Sequence, residues 1–185
     1  MTRLHVISAA TRPTSSGRPL AAWVGERARA HGGFEVTSVD LAEIALPFLD
    51  EPEYASSGVY TNAHTLEWSA LVGSADAFVF VMPMYNGGFT APFKNAIDFL
   101  YDEWRGKPVA LLSYSAGPTG GAPAAEMLLP VLTRLGMLPT ERRVAVPGIN
   151  ALVGPEGFQA PEGLADELTG MLDEVAALAS EPVSA

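Results

Sequence analysis

Apolar positions follow two periods along this chain. Five short runs, Leu4–Ser8, Phe34–Leu41, Ala77–Met82, Val109–Ser113 and Arg143–Val146, are rich in β-branched, aromatic and aliphatic residues and are bounded by turn-forming residues, as expected of strands. Ala77 to Met82 is apolar without interruption, the pattern of a strand buried on both faces. Between the runs the period lengthens. Leu20, Trp23, Val24, Arg27, Ala28 and His31 recur at helical spacing, and Gly32-Gly33 supplies the stop. Further helices are predicted near Thr65–Ser74, Ala91–Tyr101 and Ala124–Leu135, and a last amphipathic one carries Leu164, Leu168, Leu172, Val175 and Leu178. Five strands alternating with five helices predict an α/β fold with a parallel sheet, helices on both faces and right-handed crossovers. The segment Ile44–Tyr60 holds Pro47, Pro52, Ser56, Ser57 and Gly58 with no sustained period, so it reads as an irregular excursion of the kind that is often functional.

The chain of 185 residues has the length of one domain, taken as 1–180 with a flexible tail at 181–185. Its 48% apolar content is enough for one sizeable core. Cysteine is absent, so disulfides, thiolate metal sites and thiol redox chemistry are excluded, and any redox activity must use a bound cofactor. A net charge of -10 argues against nucleic acid or an anionic membrane as partner, since both require clustered Lys and Arg. His5, His31 and His64 are dispersed without metal-ligand spacing and read as core or surface residues. The amino terminus has too short an apolar run for a signal peptide, and no stretch of about 18 apolar residues occurs. The expected location is cytoplasmic.

In open parallel sheets ligands bind beyond the carboxyl ends of the strands, where strand order reverses. Three loops there concentrate Gly, Ser, Thr and Pro: Ala9–Gly17, Pro83–Gly88 and Ser115–Gly121. The first precedes a helix amino terminus, where free N–H groups and the helix dipole favour an anion, and adds the hydroxyls of Thr11, Thr14, Ser15 and Ser16 with Arg12 and Arg18. It holds neither GxxxxGK[ST] nor GxGxxG, so a single phosphate suits it better than a nucleoside triphosphate or a dinucleotide. Tyr85 and Asn86, followed by Gly87 and Gly88, let backbone groups approach a planar ring. An ordinary capping turn and an ordinary strand-to-helix turn are the plain alternatives for these two loops. Lys94, Asn95 and Asp98 follow on a helix, and Asp98 reads best as a surface residue. Ser115 lacks a GxSxG setting, which argues against a hydrolase. Trp68 and Trp104 read as core or interface residues, with a second possibility that Tyr101 and Trp104 reach a neighbouring subunit's site.

Together these loops resemble those of the NADPH-dependent FMN reductase family of flavodoxin-like fold, which includes quinone, azo and chromate reductases. The resemblance covers about Leu4 to Val146 and is most specific at Pro83-Met84-Tyr85-Asn86-Gly87-Gly88 with Pro92 to Asp98, similar to that family's Pro-Glu-Tyr-Asn stretch and Lys-Asn helix. Thr11-Arg12-Pro13 with Gly17 and Trp23 resembles its phosphate turn. The resemblance implies a doubly wound five-stranded parallel sheet of order 2-1-3-4-5 that binds FMN. It would place Thr11, Arg12, Ser16 and Gly17 at the phosphate and Pro83, Met84, Tyr85, Asn86 and Gly87 along the isoalloxazine. Ser115, Ala116, Gly117, Gly120 and Gly121 would border the ring edge. Ala9-Ala10 stands where the family has Gly-Ser, and Met84 where it has Glu, leaving Thr11, Ser15 or Ser16 to supply a hydroxyl.

The implied activity is an NAD(P)H oxidoreductase: NADPH or NADH donates hydride to the flavin N5 and leaves, and a small acceptor such as a quinone, free flavin or azo compound then takes the electrons. No side chain is assigned a catalytic role, because the flavin carries the chemistry. A homodimer or homotetramer is implied as well. Two other readings stay open on the residues: a flavodoxin-type electron carrier, which the acidic surface allows, and a flavin-free structural descendant, which Ala9-Ala10 allows.

Overall fold

A computed structural model describes residues 1–181; of the tail read at 181–185, residues 182–185 lie outside the described residues. Four parallel strands, β1 (Thr2–Ser8), β2 (Phe34–Asp40), β3 (Ala77–Pro83) and β4 (Pro108–Tyr114), lie in the order β2-β1-β3-β4. The fifth position is shared by two short strands, β5 (Leu138–Pro139) beside Pro108 and Val109 and β6 (Val144–Val146) beside Leu112 to Tyr114. The order 2-1-3-4-5 therefore holds, with a correction at the edge. The run at Arg143–Val146 is only the upper half of the fifth position, and Arg143 lies outside it. Pro139 has no N–H to continue the ladder, and the Thr140 hydroxyl donates to Arg142 O at 2.8 Å, turning the chain out before it rejoins.

Residues alternate between the two faces of the sheet, and each face has its own core. Phe78, Phe80 and Met82 pack with Trp68, Phe93 and Trp104 under α3 (Ala63–Gly73), α4 (Ala91–Asp98) and α5 (Ala122–Arg134). Ala77, Val79 and Val81 pack with Leu20, Val24, Leu168 and Leu172 under α1 (Gly17–His31) and α7 (Leu164–Ser180). The helix α1 is stopped by Gly32 at φ 79°, the left-handed cap that glycine allows. Three small elements had no signal in the sequence: α2 (Leu41–Ile44), α6 (Ile149–Leu152) and the β7–β8 hairpin, Val153–Gly154 with Gly157–Phe158. Trp68 and Trp104 are core residues whose indole N–H groups donate to Ala96 O and Ile97 O, so Trp104 faces no neighbour's site.

The excursion is irregular as expected, with one 3-10 turn at Ala55–Ser57. Six contacts hold it down. Asn95 donates to Pro47 O and accepts from Leu49 N, Glu51 accepts from the N–H groups of Thr61 and Asn62, Asp50 pairs with His64, and the Tyr60 hydroxyl donates to Glu103. Phe48, Leu49, Tyr54 and Val59 are left exposed. From β2 the chain returns past β1 to β3, so strand order reverses at the β1/β3 boundary and opens the crevice there.

Candidate flavin site

A cleft of about 300 Å³ lies over the carboxyl ends of β1, β3 and β4, lined by Arg12, Thr14, Ser15, Ser16, Pro83, Met84, Tyr85, Tyr114, Ser115, Ala116, Ile149 and Asn150. Its first wall is the loop before α1. Pro13 sets the bend of the turn Arg12–Ser15, closed by Ser15 N donating to Arg12 O at 3.0 Å. Ser16 caps α1 without using its own hydroxyl. The N–H groups of Ser16 and Arg18 find no acceptor among the described residues, and Pro19 has none to offer. The exposed Arg12 guanidinium pairs with no carboxylate among the described residues, whereas Arg18 is neutralised by Asp40 at 2.5 Å and stands outside the cleft wall. One end of the cleft thus gathers three hydroxyls, free N–H groups and one unpaired cation, a donor set for an anion.

The second wall is a tight hairpin. Tyr85 and Gly88 exchange N–H to O=C bonds of 2.9 and 3.0 Å across Asn86 (φ 51°) and Gly87 (φ 85°), two left-handed residues in the turn that Asn-Gly favours. Pro83, Met84 and Tyr85 face the cleft, while Asn86 and Gly87 form the exposed tip at its rim. A Cβ on Gly87 would meet nothing within 4 Å.

The third wall comes from the loop after β4. Ser115 and Ala116 face the cleft, and the Ser115 hydroxyl donates to Gly117 O. Gly120 and Gly121 do not reach the cleft. A Cβ on Gly120 would sit 2.8 Å from the backbone of Ala145 and Val146, and one on Gly121 2.9 Å from Tyr114 O, so both fold the loop down against β4 and β6. Gly17 is buried too, because the Tyr114 hydroxyl occupies the place of a side chain there. Thr11 points to a separate cavity with Leu41, Leu46 and Pro92. Ala9 and Ala10 are fully buried and form no part of the wall, so the cleft takes its hydroxyls from Thr14, Ser15 and Ser16. Lys94 and Asp98 pair with each other at 2.6 Å on α4.

Three wall residues, Tyr114, Ile149 and Asn150, carried no signal strong enough to single them out. Tyr114 sits between the two serines at the end of a strand buried throughout. Its phenol is pushed up to about 12 by burial, with the Ser15 hydrogen bond working the other way, and is therefore neutral near pH 7. Its hydroxyl meets Ser15 of the first wall, and with Pro83, Met84, Tyr85, Ala116 and Ile149 its ring adds apolar surface to the same lining. An anion-binding loop and apolar wall residues in one cleft fit the phosphate and the ring of FMN.

A family model described as NADPH-dependent FMN reductase matches residues 2–151. The chain belongs to that family. Among its relatives, an NAD(P)H-dependent FMN reductase of Schizosaccharomyces pombe is 38% identical over 149 residues, covering 78% of this chain and 74% of the relative. Another of that description from Nectria sp. is 31% identical over 203 residues, covering 98% and 99%. In fold, the chain is similar to the flavoenzyme NAD(P)H:(acceptor) oxidoreductase FerB of Paracoccus denitrificans, with TM-score 0.77 and 22% identity over 97% of each chain.

Proposed function

We propose that this chain is an FMN-dependent NAD(P)H oxidoreductase that serves a small flat acceptor such as a quinone, a free flavin or an azo compound. The observation that carries the reading is one cleft in which strand-end loops bring the hydroxyls and unpaired cation of the loop before α1 together with the apolar surface of Pro83, Met84, Tyr85, Ala116 and Ile149. When bound, FMN supplies two-electron chemistry, taking up hydride equivalents from a nicotinamide and releasing them to the acceptor. The protein's part is to hold and orient. Arg12, Thr14, Ser15, Ser16 and the amino terminus of α1 would grip the phosphate, and Pro83 to Tyr85, Ser115 and Ala116 would border the ring, with the Asn86-Gly87 tip at its edge. The cleft stays open on the rim of the sheet, which leaves room for donor and acceptor to come and go in turn.

We propose further that the enzyme is cytoplasmic, working where reduced nicotinamide is regenerated, and homo-oligomeric, a dimer or tetramer. The anchored excursion supports an oligomer, because it presents Phe48, Leu49, Tyr54 and Val59 outward on a fixed backbone. Among the described residues no helix is long and apolar enough to cross a membrane.

Purified protein reconstituted with FMN should show flavin absorbance, oxidise NADPH or NADH and reduce a quinone. Bound FMN without nicotinamide oxidation would favour an electron carrier instead. No binding of FMN would overturn the reading of the cleft. Light scattering checks the oligomer.

A further inference from the structure

Tyr114 belongs to the sheet, yet its hydroxyl ends in the loop before α1. The ring is 4% exposed on the end of β4, and its oxygen lies 3.2 Å from Ser15 Oγ. The Gly17 N–H donates to the same Ser15 oxygen at 3.0 Å. A hydroxyl has one proton and two lone pairs. Either hydroxyl can donate across the Tyr114–Ser15 contact; in the arrangement in which the phenol donates, as the Gly17 N–H does, both lone pairs of Ser15 are used and its proton is left to point elsewhere. Ser15 is in the wall of the cleft, beside Arg12, Thr14 and Ser16. Gly17 is what makes room for this, since any side chain there would collide with the phenol.

We propose that Tyr114 is a positioning residue, which fixes Ser15 so that its hydroxyl donates to the phosphate group of the bound flavin. The inference rests on the reading of the cleft given above and assigns the preorganisation of its anion end to a strut from β4 rather than to the loop alone. Loop residues held only by their own turn lose affinity to their freedom of movement, and a strut from the rigid sheet removes that loss. The strut acts only on the phosphate end, so its removal must distinguish ligands that have a phosphate from those that do not.

The test is titration of the full chain, stripped of flavin, with FMN and with riboflavin, following flavin fluorescence. Tyr114→Phe keeps the ring and removes the hydroxyl, and it should weaken FMN binding by about three- to tenfold while riboflavin binding stays within about twofold. Ser15→Ala, at a half-buried loop position, should give a loss of the same size. The double variant should lose no more than either single one, because both break the same path. Equal losses for FMN and riboflavin in Tyr114→Phe, or losses that add in the double variant, would overturn the inference. So would unchanged FMN binding in Tyr114→Phe. A wild type that binds neither ligand would refute the flavin reading itself, a different result from a wild type that binds both and a variant that does not discriminate.

Discussion

Replacing Arg12 with Ala is the sharpest probe of the anion end. The guanidinium is exposed and pairs with no carboxylate among the described residues, so its removal orphans no buried group. The turn it starts is closed by its own backbone carbonyl, which Ala retains. What is lost is a charge-assisted contact to phosphate, worth about 1.5–3 kcal/mol in general. Exposure and counterions bring it to the lower end, about 1.5 kcal/mol, or roughly a tenfold weaker Kd for FMN. Riboflavin, which has no phosphate, should bind Arg12→Ala and wild type alike. The difference between the two ligands should also shrink as salt is raised, because the interaction is screened. Fluorescence titration of both ligands at low and high salt measures all three effects. An equal loss for riboflavin, or a loss that salt does not reduce, would show that Arg12 supports the loop instead of contacting an anion.

Three further outcomes are expected. Ala10→Ser should change FMN affinity by less than about twofold and lower stability by about 1–3 kcal/mol, since position 10 is fully buried and the new hydroxyl has no identified partner; tenfold tighter binding would place that position in the phosphate site after all. Gly87→Val forces a β-branched residue to a φ near 85°, so the hairpin should deform at a cost of about 1–2 kcal/mol and lose bound flavin while circular dichroism stays native; full retention of FMN would make the tip an ordinary turn. His5 is 3% exposed, its Nδ1 has no partner among the described residues, and burial, then the charges of Lys107 and Arg3, lower its pKa against the opposing pull of Asp76. The unfolded chain therefore takes up a proton near pH 6.5 that the native state refuses, so stability present above that pH declines by up to about 1.4 kcal/mol per unit as pH falls towards the lowered native value. His5→Gln should flatten the denaturant-midpoint profile over that window, and an unchanged slope would assign the acid sensitivity to other groups.

The sheet was legible because its signal is redundant. Ala77 to Met82 announces a central strand through six consecutive apolar residues, and the structure buries every one of them. The fifth position was read only in part, because Pro139 ends a two-residue pairing too short to have a period of its own. Loop one was recognisable from its hydroxyls and Arg12, both of which are local facts. Whether a cation nearby is free is not local: Arg18 looks equivalent to Arg12 in the sequence, but Asp40, at the end of the next strand, claims it.

Glycine raises the same difficulty in a harder form. A run such as Gly117 to Gly121 shows that something comes close to the backbone, but not whether it is a ligand or the protein itself. At Gly120 it is the backbone of Ala145 to Pro147, and at Gly121 it is Tyr114, so both positions are explained without any bound group. Gly117 differs, since a Cβ there would meet only the Ser115 hydroxyl at 3.9 Å. Gly17 is the instructive case, because the atom that excludes a side chain is the Tyr114 hydroxyl, the same one that reaches Ser15. A glycine that reads as a phosphate contact thus serves the cleft indirectly, by giving the phenol room to support a residue in the wall.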